Sequence, residues 1–121
     1  MKYALLIYSS DGREQGEDAR ERFNRLSESE QQAVLREYFA ISQQPGVYGG
    51  EQLQPATTAT TVRVENGQTI VSDGPFAESK DVFGGFYLVE AADLDAALEI
   101  AARIPAARMG GCIEVRPLVE R

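Results

Sequence analysis

Val82-Phe83-Gly84-Gly85-Phe86-Tyr87-Leu88-Val89-Glu90 decides the fold. The run is rich in aromatic and β-branched residues and reads as a strand. Its apolar residues fall on both parities, with Phe83, Tyr87 and Val89 on one side and Val82, Phe86 and Leu88 on the other. A strand of that kind has both faces covered. Asp93 follows as an N-cap, and Leu94, Ala97, Leu98, Ala101 and Ala102 then recur along one helix face until Pro105 ends or kinks the helix.

The same unit, a doubly apolar strand followed by a helix, occurs at the start of the chain. Met1 to Ser9 places Tyr3, Leu5 and Ile7 on one face and Ala4, Leu6 and Tyr8 on the other. Residues 10 to 26 are polar and charged, with a helix expected from Glu17 to Leu26. Ser27-x-x-Glu30 has the capping-box pattern and opens a second helix with Ala33, Val34, Tyr38 and Ile41 at helical spacing. Leu35 and Phe39 widen its stripe, and Pro45-Gly46 stops it. Val47 to Leu53 is a short extended segment. Thr61 to Glu65 and Gln68 to Ser72 flank Asn66-Gly67, the favoured two-residue type I′ hairpin turn. After Gly110-Gly111 a last strand, Cys112 to Val119, alternates Ile113 and Val115 with Cys112, Glu114 and Arg116.

This order predicts an α+β fold, most simply a ferredoxin-like βαββαβ sheet with an additional strand and its helices on one face. Two helices cover only one face of such a sheet, yet two of its strands are apolar on both. A second copy of the chain supplies the missing layer, so a homodimer is expected.

The chain has 121 residues, 43% of them hydrophobic. One domain, residues 1–121, is expected, with a real but thin core. With 19 acids against 12 bases the net charge is −7, a field that disfavours nucleic acid and anionic lipid surfaces. No uncharged stretch approaches the roughly 18 to 20 apolar residues that span a bilayer. The apolar run Ala4 to Tyr8 is shorter than a signal h-region. Cys112 is the single cysteine, so no intrachain disulfide forms and a reducing cytoplasm is the expected compartment. Histidine is absent, which removes the commonest general base and the imidazole ligands of zinc, iron and haem. Neither a metal site nor a cofactor is expected, and no dinucleotide, P-loop or calcium-loop motif occurs.

At Asp73-Gly74-Pro75-Phe76-Ala77-Glu78-Ser79-Lys80-Asp81 the chain resembles the signature of the DGPF (DGPFAETKE) branch of the YCII-related family, with Ser79 and Asp81 where that signature has Thr and Glu. The resemblance extends to the Met1-Lys2-Tyr3 start, to Leu53-Gln54-Pro55, to Ala59 through Arg63, to Gly84 through Glu90 and to Ile113 through Pro117. It implies a dimeric α+β barrel, two ferredoxin-like sheets packed face to face with a cleft in or beside the barrel. It also implies a bacterial setting near sigma-factor systems. An Asp and His pair is the active site proposed in broader relatives; only the Asp half has a counterpart here, at Asp73.

The Asp73 to Asp81 segment has two readings. In one, Asp73 accepts hydrogen bonds from amides two residues on and Phe76 anchors a rigid turn. In the other, Asp73 or Glu78 is an acid or base and Lys80 contacts an anion; Lys80 alternatively pairs with Glu78 or Asp81 in solvent. The charged parity of the last strand, Glu114 and Arg116, joined by Arg63 of the hairpin, is either a polar opening on the barrel side or an exposed edge protected by charge. Cys112 reads as an inert small residue. Tyr8 and Tyr87 read as core aromatics with satisfied hydroxyls, Tyr87 being also a ligand-binding candidate. Two function classes follow. The first is a small-molecule-binding or regulatory module associated with sigma-factor systems. The second is a cofactor-free enzyme of the isomerase, lyase or oxygenase type, acting on a small organic substrate in a dimer cleft with Asp73 as acid or base.

Overall fold

A computed structural model of the chain describes residues 1–12, 16–77 and 79–121. Its two doubly apolar strands, β1 (Lys2–Ser10) and β5 (Asp81–Glu90), lie side by side and antiparallel at the centre of a four-stranded sheet. β2 (Val47–Gln52) flanks β5, and β6 (Cys112–Pro117) flanks β1, also antiparallel, giving the order β2-β5-β1-β6. β3 (Thr60–Glu65) and β4 (Gln68–Asp73) form a separate two-stranded ribbon. Three helices, α1 (Ala19–Arg25), α2 (Glu28–Ser42) and α3 (Leu94–Ala102), complete the mixed α+β architecture.

The helix boundaries follow from side-chain caps. Ser27 Oγ accepts the Glu30 N–H while a Glu30 carboxylate oxygen accepts the Ser27 N–H, the reciprocal box expected from the sequence. Asp93 accepts from the Ala96 N–H at 2.9 Å and starts α3. Asp18 does the same for α1 through the Glu21 N–H at 2.7 Å. Pro105 does not kink α3. The helix ends at Ala102, and Pro105 opens a separate 3-10 turn, Pro105–Ala107, in which its missing N–H costs nothing.

All of the tightest packing lies on one side of the sheet. Tyr3, Leu5 and Val89 are essentially inaccessible and meet Ile41 of α2, Ala97 and Ala101 of α3, and Ile104. Burying each such aliphatic side chain contributes about 1.5 to 3 kcal/mol. The opposite side carries Ala4, Leu6, Phe86 and Leu88, all only half-buried.

Two expectations need correction. The sequence puts Phe83 on the parity of Tyr87 and Val89, but the register shifts between the pairs Ile7–Gly85 and Tyr8–Phe83, leaving Gly84 without a partner on β1. This β-bulge turns Phe83 onto the open side with Phe86 and Leu88. The additional strand, in turn, is no part of the main sheet. The Asn66-Gly67 hairpin stands apart, with positive φ at both turn residues as type I′ requires. Its Val62, Val64 and Val71 are 60 to 68% exposed.

Candidate functional site

The segment from Asp73 to Asp81 is fastened at both ends. Gly74, at φ 91°, donates its N–H to the Ala59 carbonyl at 2.7 Å, and its own carbonyl accepts the Thr61 hydroxyl at 2.8 Å. At the far end the Lys80 carbonyl accepts the Asp11 N–H at 2.9 Å, and Ser79 Oγ accepts the Asp81 N–H at 3.2 Å. Asp81 then enters β5 opposite Ser10. The loop therefore hangs between the ribbon and the central sheet.

Beneath it lies an open cleft of about 900 Å³. One wall is the segment after β2, where Leu53 donates to the Gly84 carbonyl and Pro55 begins a 3-10 turn, Ala56–Thr58. Leu53, Pro55, Phe76, Val82, Phe83 and the Tyr8 ring make the walls apolar. Tyr8 and Phe83 pack with ring centroids 5.6 Å apart. Polar groups reach the cleft from Asp11, Gln54, Thr58, Ser79 and Asp81. Phe76 is 77% exposed; it borders the cleft without being anchored in a core.

The candidates drawn from the sequence do not converge here. Asp73 closes β4 opposite Thr60 and lies outside the cleft wall, whereas Pro75 is within it. Among the described residues no hydrogen bond reaches the Asp73 carboxylate, so it does not cap the turn. Glu78 lies outside the described residues. Lys80 contributes its carbonyl to the Asp11 contact, and its side chain does not line the cleft. Arg63 sits on the ribbon opposite Ile70, exposed.

Tyr87 faces the helices. Its hydroxyl donates to the Tyr38 carbonyl at 3.0 Å, and burial, followed by the neighbouring Tyr38 phenol, pushes its pKa up. Burial raises the Tyr38 phenol likewise, with a hydrogen bond to the Ala106 backbone opposing it. Raised in this way, both phenols stay neutral at physiological pH. Glu114 and Arg116 pair with each other at 3.0 Å on β6, opposite Leu6 and Ala4 of the open side. The predicted alternation of β6 holds, and its charges edge the open side of the sheet.

Sequence reasoning missed the residues that do border the cleft: Tyr8, Phe83, Asp81 and the turn after Leu53. The signal for Phe83 was the Gly84-Gly85 pair, since glycine inside a strand marks a bulge. Among the described residues no group of three or more cysteine or carboxylate side chains is placed to hold a metal. Among the described residues no helix is long and apolar enough to cross a membrane.

Two comparisons with known proteins cover all or nearly all of the chain. A protein of Rhizobium meliloti (strain 1021), described as "Uncharacterized protein R00369", is 38% identical over 124 residues, spanning 98% of this chain and 92% of its own. The family model for the YCII-related domain matches residues 1–121. The chain belongs to the YCII-related domain family.

Proposed function

We propose that this protein is a small-molecule-binding module whose ligand site is the cleft beneath the Asp73 to Asp81 loop. One observation carries the reading: about 900 Å³ of open space, walled by apolar side chains, with a few polar groups converging from three separate segments. Ligand clefts typically hold about 300 to 1,000 Å³ and share that mixture of walls. The Asp73 to Asp81 signature that forms the roof supports placing the chain in the DGPF branch.

The working unit in this proposal is a homodimer. The sheet order β2-β5-β1-β6 supports reading the main sheet as a ferredoxin-like βαββαβ unit with the β3–β4 ribbon inserted into it. Its open side carries Ala4, Leu6, Phe86 and Leu88 without the tight burial of the helix side, and a second copy packing there makes a dimeric α+β barrel. Exposed, unpaired Cys112 suits a reducing cytoplasm. The sigma-factor setting implied by the signature makes a regulatory role the natural use of such a module.

A cofactor-free enzyme is the second reading. It draws on Tyr8 and Asp81, a phenol and a carboxylate that both border the cleft, and no longer on Asp73. Titrating the isotope-labelled full chain with a fragment library tests both. Amide shifts clustered at Tyr8, Thr58 and Phe83 are the expected result, and chemical conversion of a bound fragment selects the enzyme. Binding confined to another surface, or none across the library, refutes the cleft as the site.

A further inference from the structure

We infer that the cleft takes a small organic cation, an ammonium group carried on an apolar or aromatic body. The inference rests on the cleft being the ligand site and adds the chemical class. Among the described residues the acids that border the cleft are Asp11 and Asp81, and no lysine or arginine borders it. Asp81 carries most of the weight. Its backbone is held by β5 pairing with Ser10 and by its N–H to Ser79, while among the described residues its carboxylate accepts no hydrogen bond. It is half-buried beside Val82 and Phe83. Charge attraction at such a partly buried site is about four times its strength in bulk water.

The aromatic walls act in the same direction. Tyr8, Phe83 and the exposed Phe76 offer ring faces, whose negative quadrupoles attract a cation within about 6 Å. An anionic ligand would face the Asp81 carboxylate in an apolar cleft and the repulsion of a chain with net charge −7. A neutral ligand would fit the walls but leave the Asp81 carboxylate unused. Gln54, Thr58 and Ser79 supply neutral hydrogen-bonding groups to orient the ammonium or its body.

Three probes on a shared phenethyl body test the class: phenethylammonium, 2-phenylethanol and 3-phenylpropanoate, each titrated into the full chain and read by amide shifts at the cleft. Phenethylammonium is expected to bind about tenfold more tightly than the alcohol, and the carboxylate most weakly. Asp81→Asn is expected to abolish the preference of the cleft for the ammonium over the alcohol. Raising salt to about 0.5 M with the unaltered chain provides a check independent of folding, since screening weakens the cation alone. If the alcohol or the carboxylate binds as tightly as the ammonium, the cleft stands and the cationic class is overturned. If no probe binds although library fragments shift the cleft amides, the class again falls. If the library also gives no cleft shifts, the cleft reading fails and this inference with it.

Discussion

Tyr8 and Phe83 lie with ring centroids 5.6 Å apart and planes tilted by 51°, because Gly84, without a partner on β1, turns Phe83 onto the side of the sheet that Tyr8 occupies. The contact itself contributes about 0.5 to 1.5 kcal/mol. Its larger consequence is positional. The two rings end the apolar stripe of Ala4, Leu6, Phe86 and Leu88 and at the same time wall the cleft. Sheet register and the shape of the cleft are thus coupled through one extra residue.

That extra residue tolerates a methyl group and its neighbour does not. A Cβ at Gly84 meets nothing within 4 Å, whereas one at Gly85 lies 2.8 Å from the Glu51 carbonyl oxygen of β2. Gly84→Ala is therefore expected to change stability by less than about 0.5 kcal/mol. Gly85→Ala should cost about 1 to 3 kcal/mol, because β2 must move away from β5. Urea unfolding of the two variants checks the contrast; equal losses would show that the bulge is not where the register places it.

Asp73 is expected to behave as a surface residue. It ends β4 exposed and unbonded among the described residues, so Asp73→Asn should alter unfolding free energy by less than about 0.5 kcal/mol and leave cleft binding unchanged. A loss near 1 kcal/mol is the signature of a broken cap and would restore the turn-capping role. Intact stability with lost binding would return Asp73 to the site.

Local signals were legible in the sequence where one segment suffices to produce the structure. The Ser27 and Glu30 box, the Asp93 cap, the Asn66-Gly67 turn and the alternation of β6 each depend on residues a few positions apart. Phe83 was misassigned because parity counting assumes unbroken pairing, and a bulge is visible only once Tyr8 is known to face it. The cleft was illegible for the same reason on a larger scale. Tyr8, the turn after Leu53 and the 75–83 segment are remote in sequence, and only the sheet order brings them together. The signature points to Asp73, while the acid of the signature that borders the cleft among the described residues is Asp81, at its other end.

The α2 cap predicts an acid sensitivity with a definite sign. The backbone N–H of Ser27, and then its side chain, holds the Glu30 pKa below its ordinary value. A depressed folded-state pKa means stability that is present above the unfolded-state value and lost as pH falls through the folded one. Ser27→Ala should cost about 1 kcal/mol at neutral pH. The deficit should shrink below the ordinary carboxylate range, where Glu30 is protonated in both proteins. Urea unfolding across pH 3 to 7 measures it, and a deficit that grows on acidification would contradict the capping geometry.

The open side of the sheet gives the prediction on which the proposed assembly depends. Leu6 pairs with Phe86 on one side and Glu114 on the other, so its side chain sits in the middle of the half-buried stripe. In a monomer Leu6→Glu puts a carboxylate into water beside Glu114 and costs little stability. In the proposed barrel the same change buries a charge between two sheets without a partner, a cost of several kcal/mol that opposes assembly. Light scattering after gel filtration should therefore find a dimer for the natural chain and a monomer for Leu6→Glu, with far-ultraviolet circular dichroism unchanged. Leu5→Ala, on the helix side of the same strand, is the control. It removes a fully buried side chain and should lower stability by about 2 to 5 kcal/mol while leaving the folded protein dimeric. A natural chain that elutes as a monomer at micromolar concentration would defeat the barrel outright. Dimers that survive Leu6→Glu would move the interface elsewhere, and the exposed valines of the β3–β4 ribbon, Val62, Val64 and Val71, would be the next surface to change.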